Sequence, residues 1–241
     1  MHLLVTRPEP EAARFAAVLR TAGHQASVAP LLTIEALPPP EADLLRGLDA
    51  LAVTSARTLT VFAPAALLDL PLFAVGEATA KAARAAGFRQ VQAAGGDALA
   101  LSRLLRQRLP RASRILHPGG VHQARDLHAL LEGSGLVLIA QPVYRARAVA
   151  SLPDAACAAL SDEGLEGVSF FSPRTAKTFV SLTLESGLQR RLPSLFAFCL
   201  SPAVAAGLAG SQWRAIQIAP QPTAEALLKT IDAQSCEGGR A

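Results

Sequence analysis

A long internal repeat constrains this 241-residue chain more than any single motif. Leu3, Phe15, Leu19, Gly23, Pro30 and Leu32 recur 112 positions later as Ile115, Leu127, Leu131, Gly135, Pro142 and Tyr144. Ser55, Arg57 and Phe62 recur 117 positions later as Ser172, Arg174 and Phe179. Val75, Gly76 and Ala80 recur after 125 positions as Leu200, Ser201 and Ala205, and Asp97 and Leu101 match Thr223 and Leu227 at 126. Insertions in loops produce such a slowly growing offset. A period of half the chain is too long for a solenoid, whose units run to about 20–50 residues. It implies two similar lobes with a ligand cleft between them.

Within each half, short apolar runs alternate with helical patterns. Strands are expected at His2–Thr6, Ala50–Thr54, Leu72–Val75, Arg114–His117, Leu136–Ala140, Gly167–Phe171, Leu195–Leu200 and Ala215–Ile218. The segment Glu9–Ala22 puts Ala12, Phe15, Ala16 and Leu19 on one helical face, and Gly23 supplies its stop. Leu101, Leu104 and Leu105 mark a further helix, as do Leu127, Leu130 and Leu131. Alternation of this kind implies an α/β fold, parallel sheets flanked by helices. Pro38-Pro39-Pro40 interrupts regular structure, and this run and Ala146–Pro153 are the expected crossings between lobes.

Composition narrows the class. Apolar residues make up 51% and charged residues 17%, which supplies cores and excludes disorder. The net charge of +4 is not gathered into a Lys/Arg run, which argues against a nucleic-acid partner. It fits either ordinary surface charge or a basic cleft for a polyanion. Cys157, Cys199 and Cys236 form no CxxC pair and suit a reducing compartment. No leader pattern and no bilayer-length apolar run is present, so a cytoplasmic chain without a membrane partner is expected. The tail after Ile231 is expected to fray.

Motifs exclude more than they assign. There is no Walker loop, GxGxxG, GxSxG elbow or paired-carboxylate pattern. His117, His122 and His128 match no zinc spacing, so no metal is expected. Gly95-Gly96 and Gly119-Gly120 read as turn glycines. What remains is a set of hydroxyl-rich strand-to-helix turns: Thr6-Arg7-Pro8, Thr54-Ser55-Ala56-Arg57, Ser172-Pro173-Arg174-Thr175 and Pro222-Thr223. Ser or Thr there caps the following helix. The same geometry also offers backbone N–H groups to an anion, at the strand ends where ligands of parallel sheets bind. The single tyrosine, Tyr144, reads either as a packed aromatic or as a phenol facing the cleft. A phenol of ordinary pKa, about 10, is protonated at neutral pH and can donate a proton.

These pieces, in this order, resemble uroporphyrinogen-III synthases. The matching stretches are Leu3-Leu4-Val5-Thr6-Arg7-Pro8, Val53-Thr54-Ser55-Ala56, Phe73–Ala80, Ile115-Leu116-His117-Pro118-Gly119, Val143-Tyr144-Arg145, Phe170-Phe171-Ser172-Pro173 and Ala219–Thr223. The resemblance spans nearly the whole chain. It implies two flavodoxin-like lobes joined by a two-stranded crossing, a discontinuous one of residues 1–35 plus 147–241 and another of 38–143. It implies closure of hydroxymethylbilane to uroporphyrinogen III, with inversion of ring D through a spiro intermediate and loss of water. It implies no cofactor, a monomer, and transient contact with the deaminase that supplies the bilane. The family's tyrosine maps onto Tyr144, with assistance to the leaving hydroxyl as its implied role. Substrate carboxylates are expected at Thr6, Arg7, Thr54, Ser55, Gly76, Thr79, Gly119, Ser172, Pro173, Arg174, Ser201 and Thr223. One departure stands out: Ser201-Pro202-Ala203-Val204 puts Val204 where the family often has threonine. Against this stand a non-catalytic tetrapyrrole-binding module of the same fold, a two-lobed periplasmic-type binding protein and a nucleotide-using transferase. The missing leader and phosphate loops disfavour the last two.

Overall fold

A computed structural model of the chain describes residues 1–121 and 125–238. Contacts divide it into two units, residues 1–33 with 147 onward, and residues 34–146. Each is a sheet of mainly parallel strands with helices on both faces.

The first unit contains β1 (His2–Val5), α1 (Glu11–Thr21), β2 (Gln25–Val28), α6 (Asp154–Ser161), β9 (Leu165–Phe170), α7 (Pro173–Glu185), β10 (Phe196–Cys199), α8 (Pro202–Ala205), β11 (Ala215–Ile218) and α9 (Ala224–Gly238). Its strand order is β11-β10-β9-β1-β2, all pairs parallel. Strand alternation sorts the core. Leu3, Val5, Phe196 and Phe198 pack with Phe15 and Leu19 of α1 and Leu227 and Ile231 of α9. Leu4, Val168, Phe170 and Cys199 point the other way, onto Leu160 of α6 and Phe179 and Leu182 of α7. Strands buried on both faces need continuous apolar runs, which Leu3-Leu4-Val5 and Phe196–Cys199 supply.

The second unit contains β4 (Ala50–Val53), α2 (Ala56–Val61), β5 (Leu72–Ala74), α3 (Glu77–Ala85), β6 (Val91–Ala93), α4 (Ala98–Arg108), β7 (Arg114–Gly120), α5 (Arg125–Leu131) and most of β8 (Val137–Ala148). With β3 (Leu32–Ala36) the order is β3-β8-β7-β4-β5-β6. Under the sequence repeat, β8-β7-β4-β5-β6 corresponds strand for strand to β2-β1-β9-β10-β11. The two sheets therefore share one spatial order, entered by the chain at different strands. Leu51, Val53, Leu72 and Leu116 face α2 and α3, while Ala50, Ala52, Phe73 and Ile115 face α4 and α5.

The chain passes between units inside β3 and β8. These run antiparallel: the Leu37 N–H donates to the Val143 carbonyl, the Val149 N–H donates to Leu31, and Glu35 faces Arg145. The strands β2, β3 and β6 escape detection from apolar runs, and all three are sheet edges with partly solvated, polar-interrupted sequences. Two further expectations are corrected. Gly119 and Gly120 lie inside β7, paired with Pro142 and Tyr144 across a register shift, and not in a turn. The segment after Ile231 continues as α9 to Gly238, and the rest of the tail, residues 239–241, lies outside the described residues.

Candidate active site

Both sheets direct their carboxyl ends toward strand-to-helix turns. The order of the first unit is that of doubly wound proteins whose ligands sit where successive connections leave for opposite faces. That point lies between β1 and β9, and its counterpart in the second unit lies between β7 and β4.

At the first point, the buried Thr6 hydroxyl donates to the Ser169 carbonyl at 2.9 Å, tying the end of β1 to β9. Arg7 follows, its guanidinium 4.1 Å from the Phe171 ring centroid. Delocalised charge over an aromatic face is attracted by the ring quadrupole. Ser172 caps α7, its oxygen accepting the Thr175 N–H at 3.1 Å, with Pro173 in the first turn and Arg174 exposed beside it. Further along the sheet, Ser201 accepts the Val204 N–H at 3.4 Å and Thr223 the Ala226 N–H at 3.1 Å. The Val204 side chain is buried among core residues, so its lack of a hydroxyl removes nothing from the surface. A recess of about 310 Å³, apolar and flanked by Arg7 and Arg14, lies between α1 and α9, and a larger one of about 540 Å³ includes Thr223 and Lys229. Tyr144 lines neither of them.

At the second point, Ser55 caps α2, accepting the Arg57 N–H at 3.3 Å. Thr54 takes no part in capping. Its Oγ1 lies 3.3 Å from Nε2 of His117, across from β4 to β7. Burial pushes the His117 pKa down from 6.5 to about 4, so the imidazole is neutral at neutral pH. Gly76 begins α3 in extended conformation and passes so close to Gly96 that a Cβ would sit 3.3 Å from the Gly96 Cα. Thr79 is buried within α3. Tyr144, only 4% exposed, lies over Gly120, where an added Cβ would come within 2.9 Å of its ring. Gly120 is therefore the seat of the phenol, and Gly119 beside it has open space on its Cα.

Within the second unit, then, Thr54, Ser55, Gly119 and Tyr144 gather on the adjacent strands β4, β7 and β8 and the turn after β4, with Gly76 in the turn between β5 and α3. Within the first, Thr6, Arg7, Ser172, Pro173 and Arg174 gather at β1 and β9, with Ser201 and Thr223 progressively farther along the sheet. Sequence reasoning missed His117 and Gly120. The signal for both was the apolar strand Ile115-Leu116 running without a break into His117-Pro118-Gly119-Gly120. Of the histidines weighed for metal, His122 lies outside the described residues and His128 is exposed on α5. Among the described residues no group of three His, Cys, Asp or Glu side chains is placed to hold a metal.

The family model for uroporphyrinogen-III synthase HemD matches residues 13–229, running through both sheets. The chain belongs to the uroporphyrinogen-III synthase family. No curated protein matches the sequence. Among solved structures, the chain is similar to uroporphyrinogen-III synthetase from Helicobacter pylori, at 19% identity and a TM-score of 0.67, over 97% of this chain and 100% of that one. It is also similar to a mutant uroporphyrinogen III synthase from Thermus thermophilus, at 15% identity and a TM-score of 0.55, over 98% and 99% of the two chains. At these identities the likeness is one of fold. It places the two-sheet architecture of this family member among solved synthases and leaves residue roles to its own geometry.

Proposed function

We propose that this chain closes hydroxymethylbilane to uroporphyrinogen III with inversion of ring D and loss of water. The observation that carries the reading is the family match through both sheets, from α1 to α9. The chemistry makes modest demands. An electron-rich pyrrole expels its hydroxyl by pushing the nitrogen lone pair into the ring, forming an azafulvene. A proton delivered to the departing oxygen releases it as water. The remaining task is to hold the chain of rings so that carbon–carbon closure takes the spiro path, which is a matter of orientation.

In this reading the Tyr144 phenol supplies that proton, and the close seat on Gly120 fixes where its oxygen lies. Substrate carboxylates meet Arg7, Arg174, the turn at Gly76, which has no side-chain cap, and the capped turns at Thr54-Ser55, Ser172-Pro173, Ser201 and Thr223. A cap satisfies only one of the first four N–H groups of a helix, and the macrodipole favours negative charge there. Thr6 and Thr79 contribute through backbone placement, since both side chains are buried. We extend the proposal to a cytoplasmic monomer that takes its bilane from the deaminase. The bilane closes unaided to isomer I, so prompt transfer favours isomer III. No helix among the described residues is long and apolar enough to cross a membrane.

The test is a coupled assay. A deaminase generates the bilane with and without this protein, the products are oxidised, and the uroporphyrin isomers are separated. A shift from isomer I to isomer III is expected. Isomer I alone, from folded protein, overturns the synthase reading and favours a non-catalytic tetrapyrrole-binding module.

A further inference from the structure

His117 is 1% exposed, yet among the described residues its ring makes one hydrogen bond, Nε2 to Thr54 Oγ1 at 3.3 Å. Nδ1 is buried without a partner. Strand alternation explains the burial: His117 follows Ile115, and Thr54 follows Ala52, on the sheet face that packs against α4 and α5. A neutral imidazole has one N–H and one lone pair, and the partnerless position must hold one of them. An orphaned buried N–H is rarer in folded proteins than an under-satisfied acceptor. The proton therefore belongs on Nε2, and the lone pair on Nδ1.

That assignment fixes the polarity of Thr54. Its oxygen accepts from His117, so its own hydrogen is left to donate. Thr54 is half-buried at the end of β4, and no described residue accepts that hydrogen. With the opposite tautomer Thr54 would donate inward and present only lone pairs, which repel a carboxylate. Resting on the synthase reading, we propose that His117 is a positioning residue that holds Thr54 as a hydrogen-bond donor to a carboxylate of the substrate. The repeat counterpart of His117 in the first unit is Val5, so the device belongs to one unit alone.

Two measurements on the full chain test this. Two-bond proton–nitrogen correlation on protein labelled with 15N-histidine, with the His117 signals identified by their loss in His117→Leu, reads the tautomer. The coupled assay then gives KM and kcat for wild type, Thr54→Val, His117→Leu and the double variant. The expected result is the Nε2–H tautomer, with KM raised about tenfold in each single variant and kcat changed little, as loss of one charge-assisted bond made equally in ground and transition states requires. The double variant is expected to be no worse than Thr54→Val, because the two residues act as one unit. The Nδ1–H tautomer, or losses that add in full, overturns the proposal. If His117→Leu fails to fold, His117→Gln identifies the His117 signals instead, and the tautomer and the Thr54→Val KM decide. Isomer I alone from folded wild type overturns the synthase reading separately, while the tautomer still decides the polarity of the Thr54 bond.

Discussion

Val5 and His117 occupy the same place in the two units, one repeat apart, and they divide two kinds of strand end. In the first unit Val5 joins an apolar core, and the next residue, Thr6, closes onto the Ser169 carbonyl. In the second, the strand end is polar: His117 reaches Thr54, and His117 Nδ1 and Thr58 Oγ1 remain buried without partners among the described residues. The following helices differ in the same direction. The 13-residue α7 carries Phe179 into a cluster with Phe170 and Trp213, whereas α2 ends after six residues. One fold, used twice, thus ends the same strand on an apolar side chain in one copy and on a buried imidazole in the other. Unsatisfied polar groups lower stability, so they are expected where function holds them.

The largest effect that tests this contrast is in the cores. Phe179 is fully buried and meets Phe170 edge-on at 5.3 Å, while its repeat counterpart Phe62 is the C-cap of α2, 7% exposed and packed among smaller aliphatic side chains. Phe179→Ala is expected to cost about 3–5 kcal/mol in urea unfolding, and Phe62→Ala about 2 kcal/mol. Equal losses would break the comparison, because they would make the second unit as tightly built as the first.

How much of this was legible in the sequence follows the same physics. Central strands such as Leu3-Leu4-Val5 and Ala50–Val53 are buried on both faces, so their apolar runs announced them. The edge strands β2, β3 and β6 are half solvated and carry no such run. The hydroxyl turns were legible because capping is local: Ser172 and Thr175 are three residues apart. The seat of Tyr144 was not, since it depends on a register shift that brings Gly120 beside a strand 24 positions on. Nor was the pairing of His117 with Thr54, which are 63 positions apart on neighbouring strands. The doublet Gly119-Gly120 suggested a turn, and only sheet pairing turns it into strand.

A smaller effect isolates His117 by pH. Its folded pKa, about 4, lies below the unfolded 6.5, so the unfolded chain binds the extra proton over that window. The stability tied to the neutral ring is present above pH 6.5 and is lost as pH falls toward 4, by about 3 kcal/mol at most. In His117→Leu the groups other than His117 still titrate, so the difference between the two proteins reads this ring. Wild type is expected to lose stability faster than His117→Leu between pH 6.5 and 4, followed by urea midpoints. Parallel curves would mean that the imidazole is already solvated, and the apolar-versus-polar contrast would fail at its centre.

The smallest effect lies in the caps. Ser172 accepts the Thr175 N–H at 3.1 Å and also meets the Thr175 hydroxyl at 2.8 Å, whereas among the described residues the Ser55 side chain holds only the Arg57 N–H, at 3.3 Å. Ser172→Ala is expected to cost about 1 kcal/mol and Ser55→Ala about half of that. Activity should order them the other way if the second unit's strand end is the functional one. Ser55 adjoins Thr54, so a freed N–H there alters the anion-facing turn itself, while the long α7 absorbs its loss within a well-packed helix. A Ser55→Ala variant that loses neither stability nor activity would show that its cap is dispensable, and would leave the Thr54–His117 contact as the polar feature of that turn on which the comparison rests.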